Sequence, residues 1–183
     1  SLNMSSVGGD MRALSLSGQT GGRAAFNLTM SGKDADRVLS GSMQDTGALL
    51  RFANLYERMR GGEGVLSVAM PSNGAWNGRF KVKRLSITED PAIRALARAP
   101  DMSDPDRRRR AGLTGSAQRG EASFNALDLV FQRQGDMLTI TDGTLTGATI
   151  GGTVSGQVDL ERRLLDLTGT FVPVFALNNL FAK

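Results

Sequence analysis

The chain has 183 residues, with 22 Lys and Arg against 18 Asp and Glu, and it contains neither cysteine nor histidine. Their absence excludes thiol nucleophiles, disulfides, imidazole bases and the usual zinc, haem and copper sites. The 23 glycines indicate many tight turns, and the 5% aromatic content means that a core must rely on aliphatic side chains. The net charge of +4 permits anionic partners, and no apolar run reaches the length of about 18 residues typical of a transmembrane helix.

The start of the chain predicts antiparallel β-hairpins. In RAAFNLTMSG, apolar and polar residues alternate, as in a strand with one buried face. A preceding strand is indicated by Leu14 and Leu16, and a weaker third strand by residues 38–43. The turns GQTGG and GKDAD between them are rich in turn-forming residues.

The hydrophobic period then changes to three and four, which predicts an amphipathic helix at about 47–60 in DTGALLRFANLYERMRGG. Asp45 or Thr46 is the expected N-cap, and Gly61 with Gly62 is expected to end the helix. The predicted apolar stripe consists of Leu49, Phe52, Leu55, Tyr56 and Met59.

A long strand and a second helix follow. The strand covers about 75–87, and its apolar residues change parity near Lys83, which predicts a β-bulge. The stretch EDPAIRALARAP then predicts a helix at 91–99, with Asp90 as N-cap and Pro91 at the first helical position.

Residues 101–120 have no periodicity and predict either a mobile, arginine-rich loop or a helix-loop whose order depends on a partner. Its run of Arg107, Arg108, Arg109 and Arg110 is either solvated or contacts anionic groups, with lipid headgroups the expected ligand. Nucleic acid is not an expected partner, because no aromatic residues are interleaved with these arginines.

At least five further strands with short Gly- and Asp-rich turns follow, a pattern that predicts an antiparallel meander. Polar residues such as Thr139, Thr153, Gln157 and Asp166 are expected to face water. The residues expected on the opposite, apolar face are Leu138, Ile140, Leu145, Ile150, Val154, Val158, Leu165 and Leu167.

Together these elements predict a mainly β (α+β) fold: a long, curved antiparallel sheet with one apolar, concave face and about three short amphipathic helices. The length suits a single domain over residues 1–183. The chain begins without a methionine or signal-peptide pattern and ends on the uncapped, apolar LTGTFVPVFALNNLFAK, so we expect a fragment of a larger protein.

The apolar face has two possible roles. It is a core wherever helices cover it, and the candidates are those at 47–60, 91–99 and from 174 to the end, where Phe175 and Leu177 turn toward the sheet. Because three short helices can hardly cover eight or more strands, the remainder is expected to form an exposed, lipid-binding groove.

The segment MLTITDGTLTGATIGGTVSGQVDLERRLLDLTGTFVPVFALNNLFAK resembles the C-terminal region of the AsmA-like superfamily, in its YhdP-type branch. The order of helices and strands from about residue 38 is also similar to that branch, whereas the arginine-rich loop departs from it. The residues that carry the resemblance are Asp142, Gly143, Gly147, Gly152, Gly156, Asp159, Leu160, Gly169, Thr170, Val172, Pro173, Leu177 and Asn178.

The resemblance implies a non-enzymatic periplasmic module without catalytic residues, metal or cofactor. Such a module belongs to a protein anchored in the inner membrane by an N-terminal helix, and its β-groove conducts phospholipids or other acyl lipids between the inner and outer membranes. An alternative is an envelope scaffold that assists assembly of outer-membrane proteins through exposed sheet edges. A third hypothesis, nucleic-acid binding through the arginine run, requires binding that weakens steeply with salt.

Overall fold

The computed structural model describes residues 2–7, 10–20, 24–32, 37–72, 74–98, 115–148, 150–162 and 164–173. These residues form ten strands and three short helices. The strands are β1 (Leu2–Val7), β2 (Asp10–Thr20), β3 (Ala24–Ser31), β4 (Val38–Met43), β5 (Met59–Ala69), β6 (Trp76–Ile87), β7 (Ala122–Gln134), β8 (Met137–Thr146), β9 (Ile150–Asp159) and β10 (Leu164–Pro173). The helices are α1 (Thr46–Phe52), α2 (Pro91–Ala97) and α3 (Gly115–Gln118).

All ten strands belong to one open, curved sheet, in which their spatial order is their order along the chain. Every neighbouring pair is antiparallel, so the sheet is a meander with β1 at one edge and β10 at the other. The predicted fold class, a long antiparallel sheet with a few short helices, is confirmed. Antiparallel neighbours need no crossover, which explains the simple order. Short connections join most consecutive strands, whereas α1 lies between β4 and β5, and α2 and α3 lie between β6 and β7.

The register aligns apolar residues and glycines into rows that cross the sheet from strand to strand. We call three of them the proximal, middle and distal rows, by their distance from helices α2 and α3. The proximal row is Gly18, Phe26, Met43, Gly64, Val82, Leu127, Leu145, Gly152 and Phe171. The middle row is Leu2, Leu16, Leu28, Gly41, Leu66, Phe80, Leu129 and Gly143. The distal row is Met4, Leu14, Met30, Leu39, Val68, Gly78, Phe131, Ile140, Gly156 and Leu167.

The opposite face is polar, as strand alternation requires. One of its rows also runs from β2 to β10, and its single apolar member, Val65, is 59% exposed. This row is Ser17, Asn27, Ser42, Val65, Lys81, Asp128, Thr144, Thr153 and Thr170.

A compact core lies at one end of the apolar face, under α2 and α3. Ile93 of α2, Ala117 of α3 and Phe124 of β7 are almost fully buried there. Gly120, which follows α3 at φ +83°, accepts a hydrogen bond from the Asp90 amide through its carbonyl at 2.9 Å. A Cβ on Gly120 would lie 2.6 Å from the Asp90 carbonyl oxygen, so only glycine allows this approach.

The predicted helix at 47–60 is wrong at its C-terminal end, because α1 stops at Phe52. Asn54 adopts a left-handed φ of 57° just beyond it, and the chain then turns into β5 at Met59. Phe52 is 82% exposed, so the predicted apolar stripe does not pack as one surface. Pairing with β6 overrides the helical period, and Gly61, predicted to end the helix, lies inside β5.

Other local predictions are confirmed. Asp45 caps α1 by accepting from the Ala48 amide at 2.8 Å, and Asp90 caps α2 by accepting from Ala92 and Ile93.

The change of parity predicted near Lys83 is present, because Val82 and Leu85 are both buried, but the register of β6 with both neighbouring strands is the same before and after Arg84, so the expected bulge is not there. Arg84 instead adopts a left-handed φ of 54°.

In the segment 101–120, predicted as a mobile loop or a helix-loop, residues Gly115–Gln118 form the short helix α3. Residues 101–114 of that segment, and the helix predicted from residue 174, lie outside the described residues.

Tyr56 joins the chain after α1 to the start of α2. Its hydroxyl donates to Asp90 Oδ2 at 3.4 Å, while Arg58 lies 3.8 Å from the same oxygen. Burial, followed by the charge and hydrogen bond of Asp90, raises the pKa of Tyr56 to about 12 from 10.0.

This raised pKa predicts a loss of stability in alkali. The folded state resists ionisation of Tyr56, so its contribution is complete below pH 10 and falls as the pH rises from 10 through 12. We expect the free energy of unfolding, measured by urea denaturation between pH 8 and 12, to fall less steeply in Tyr56→Phe than in the parent. Equal slopes in the two proteins would contradict this expectation.

Candidate functional site: the apolar face of the sheet

The structure places all eight predicted groove residues in β8–β10 on one face of the sheet. Leu138, Val158 and Leu165 are direct cross-strand partners, and Ile140 lies in the distal row with Leu167. Val154 lies opposite Gly169, and the register shift between Ile140 and Thr144 restores Leu145 to this face. The polar residues predicted to face water, such as Thr153 and Gln157, lie on the other face.

Three of the eight are buried and do not line an open groove, because Ile140, at 8% exposed, is as buried as Leu145. Ile150 is 1% exposed and Leu145 is 8% exposed, and both pack in the cluster beneath α2 and α3. The sequence could not separate these three residues from the other five, because the alternating pattern is the same on covered and uncovered strands.

The apolar face becomes more accessible away from this core. In β10, Leu165 is 53% exposed and Leu167 is 42% exposed. At the other side of the sheet, Leu16 of the middle row is 38% exposed. Ile140 and Val68 in the distal row are nevertheless buried, so the face combines filled positions with open ones.

Phenylalanine rings lie over glycines at three cross-strand pairs on this face. The pairs are Gly18 with Phe26, Gly78 with Phe131, and Gly152 with Phe171. A Cβ on Gly78 would lie 2.7 Å from Phe131 Cε1, and one on Gly18 would lie 2.7 Å from Phe26 Cζ. The rings therefore occupy the space that a side chain on the partner residue would need. Sequence reasoning missed these pairs, because each depends on the register between two strands.

The end of the apolar face farthest from the helices carries an amphipathic pair. The Arg133 guanidinium lies 4.8 Å from the centre of the Trp76 ring, and the two residues are cross-strand partners. Arg133 Nε also donates to the Gly135 carbonyl at 2.8 Å. A cation and an indole thus border the rows of purely apolar residues.

Charges on the polar face largely neutralise one another at the sheet centre. Arg79 makes a bidentate pair with Asp128 at 2.7 and 2.6 Å, and Lys81 lies 3.6 Å from the same carboxylate. The hydrogen bond from Arg79 lowers the pKa of Asp128. The sheet therefore separates a charged surface from an apolar one across the thickness of a single layer.

The remaining predicted site residues, Phe175, Leu177, and Arg107 to Arg110, lie outside the described residues. Within the described ranges, no cluster of three or more acidic side chains could hold a metal ion.

Comparisons with protein-family models, with curated proteins and with solved structures found no match for this chain. In the part of the chain that the structure describes, no helix is long and apolar enough to cross a membrane.

Proposed function

We propose that this chain is a non-enzymatic lipid-transfer module of the AsmA-like type, which holds acyl chains on the apolar face of its sheet. The observation that carries the proposal is the continuity of the apolar rows: the distal row crosses all ten strands without a polar residue. A core alone does not require such rows to reach strands that the described helices leave open.

The dimensions suit a long apolar ligand. Ten strands spaced about 4.8 Å apart give rows of roughly 43 Å, and a chain lying along a row meets apolar groups throughout. Each CH₂ removed from water contributes about 0.8 kcal/mol, so a chain shifted along a uniform row changes its free energy little. The backbone of the sheet is already paired within the sheet, so such a ligand leaves few backbone polar groups without a partner.

The pairs of phenylalanine and glycine add apolar surface to the same face. Phe26, Phe131 and Phe171 lie next to their partner glycines, so the apolar ring occupies the position of each pair on this face. In the same proposal the protein works in the periplasm, anchored to the inner membrane, and passes phospholipids between the inner and outer membranes.

The proposal is tested by placing negative charges on either the apolar or the polar face of β10 and measuring phospholipid binding. We expect Leu165→Asp combined with Leu167→Asp to weaken binding of a fluorescent phospholipid at least tenfold, because two carboxylates would then meet the acyl chain. The matched control is Thr168→Asp combined with Thr170→Asp, which adds the same charge to exposed positions on the polar face of β10. Equal binding by both double variants would refute the proposal.

A second candidate function, a scaffold that binds partner strands, is favoured by the edge strand β10. It extends over ten residues, Leu164–Pro173, and carries a single charged side chain, Asp166, so little in its sequence opposes pairing with another strand. This candidate predicts that Thr168→Pro, which removes a backbone donor, abolishes capture of a protein partner while phospholipid binding persists.

A further inference from the structure

An open depression of about 420 Å³ lies on the polar face of β5, β6 and β7, opposite the apolar rows. Its lining brings together two guanidinium groups, two hydroxyls and a side-chain amide. They belong to Arg60, Arg84, Ser86, Ser123 and Asn125. Every one of these groups donates hydrogen bonds, and the described residues that line the depression include no carboxylate.

The register explains how these side chains meet. Arg60 is the cross-strand partner of Ser86, and Ser86 is the partner of Ser123, so the three form a row on adjacent strands. At about 4.8 Å per strand, this row spans roughly 10 Å. Arg84 and Asn125 lie two residues along their strands from the two serines and share their face.

The backbone at Arg84 is unusual for a residue with a side chain. Its φ of 54° lies in the left-handed region, and the strand pairing on both sides steps from Lys83 to Leu85 without it. Glycine adopts this conformation without steric cost. An arginine here places a guanidinium at the depression at the expense of backbone geometry, a combination that is characteristic of functional positions.

The charges around the depression leave it positive. Within the described residues, Arg60 donates to the backbone carbonyls of Met59 and Glu57 and forms no ion pair. Arg84 pairs with Glu63, but the two side chains are 69% and 56% exposed, so water screens the pair and an anion can displace it. Lys83 adds a further cation beside Arg84.

We propose that this depression binds an oxyanion of the phosphate type, held between the Arg60 and Arg84 guanidinium groups and the hydroxyls of Ser86 and Ser123. Paired guanidinium groups match phosphate oxygens in geometry as well as in charge. The ligand is either free inorganic phosphate or a phosphate monoester exposed on a membrane surface. The site lies on the opposite face of the sheet from the proposed lipid groove and does not depend on it.

The test compares the binding of two phosphate ligands by the parent protein and by matched variants. Calorimetric titration with inorganic phosphate probes the free anion, and co-sedimentation with phosphatidylcholine vesicles, with and without phosphatidic acid, probes the membrane-bound one. We expect Arg60→Gln and Arg84→Gln each to weaken binding at least tenfold. Arg79→Gln, which removes the same charge from the same face of β6 outside the depression, is expected to change it less than twofold.

Arg84→Gly separates binding from folding. Because glycine accepts the left-handed backbone, we expect this variant to unfold at a temperature equal to or higher than that of the parent, yet to lose the anion. Binding of inorganic phosphate or of phosphatidic acid vesicles that is lost in Arg60→Gln or Arg84→Gln supports the site. The measurement that detects the binding shows whether the ligand is the free anion or the membrane-bound one. No binding in either measurement, or equal losses in the Arg79→Gln variant, would overturn the proposal.

Discussion

Gly78→Ala is expected to destabilise the fold by about 2 kcal/mol, since the new methyl group would collide with the ring of Phe131. Its Cβ would lie 2.7 Å from Phe131 Cε1 in a buried position of β6. The matched control is Gly151→Ala in β9, where the nearest atom would be 3.4 Å away. Because alanine costs less conformational entropy than glycine on folding, the control is expected to be neutral or slightly stabilising.

A double-mutant cycle shows whether the ring is the cause. In a Phe131→Ala background, the cost of Gly78→Ala should largely disappear, which gives a coupling energy of at least 1 kcal/mol from urea denaturation. Independent, additive effects of the two substitutions would contradict the ring-over-glycine packing.

Phe124→Ala is expected to have the largest effect on stability, about 3–5 kcal/mol, because Phe124 is 2% exposed in the core beneath α2 and α3. Removing its ring leaves a cavity next to Ile93 and Ala117, which hold the two helices on the sheet. Chemical denaturation measures the loss.

Phe52→Ala is the control for this prediction. The Phe52 side chain is 82% exposed at the end of α1, so its truncation should change the free energy of unfolding by less than about 0.5 kcal/mol. Similar losses of unfolding free energy in Phe124→Ala and Phe52→Ala would contradict a core centred beneath α2 and α3.

Much of this fold could be predicted from the local pattern of apolar and polar residues in the sequence. Alternation in β8–β10 predicts which residues share a face, because a strand has a period of two whatever covers it. Asp90 followed by Pro91 predicts the start of α2 for an equally local reason, since the aspartate satisfies the first free amides of the helix.

The error at residues 53–60 has a tertiary cause. The spacing of Leu55, Tyr56 and Met59 fits a helix, but Met59 is buried by pairing in β5 and by the core cluster, and this gain outweighs helix propensity. The buried positions of β5 change parity between Met59 and Gly62, so the stretch MRGGEGVLSVA has no continuous period of two that would predict a strand from Met59.

The details that matter most for function depend on register. Phe131 lies over Gly78 although 53 positions separate them, and Arg60 shares a depression with Asn125 across two strand pairs. A shift of one residue in either pairing would move these side chains to opposite faces. A single sequence contains no signal that fixes such pairings, although the charged stretch RFKVKR in β6 indicates a basic surface.

The most direct measurement of the central claim is photocrosslinking from neighbouring positions on β10. A photoreactive amino acid in place of Leu167 projects from the apolar face, and one in place of Thr168 projects from the polar face. On illumination in cells that express the protein, we predict phospholipid adducts from position 167 and none from position 168. Equal lipid labelling at the two positions, or protein adducts alone at position 167, would contradict a lipid-binding role for the apolar face.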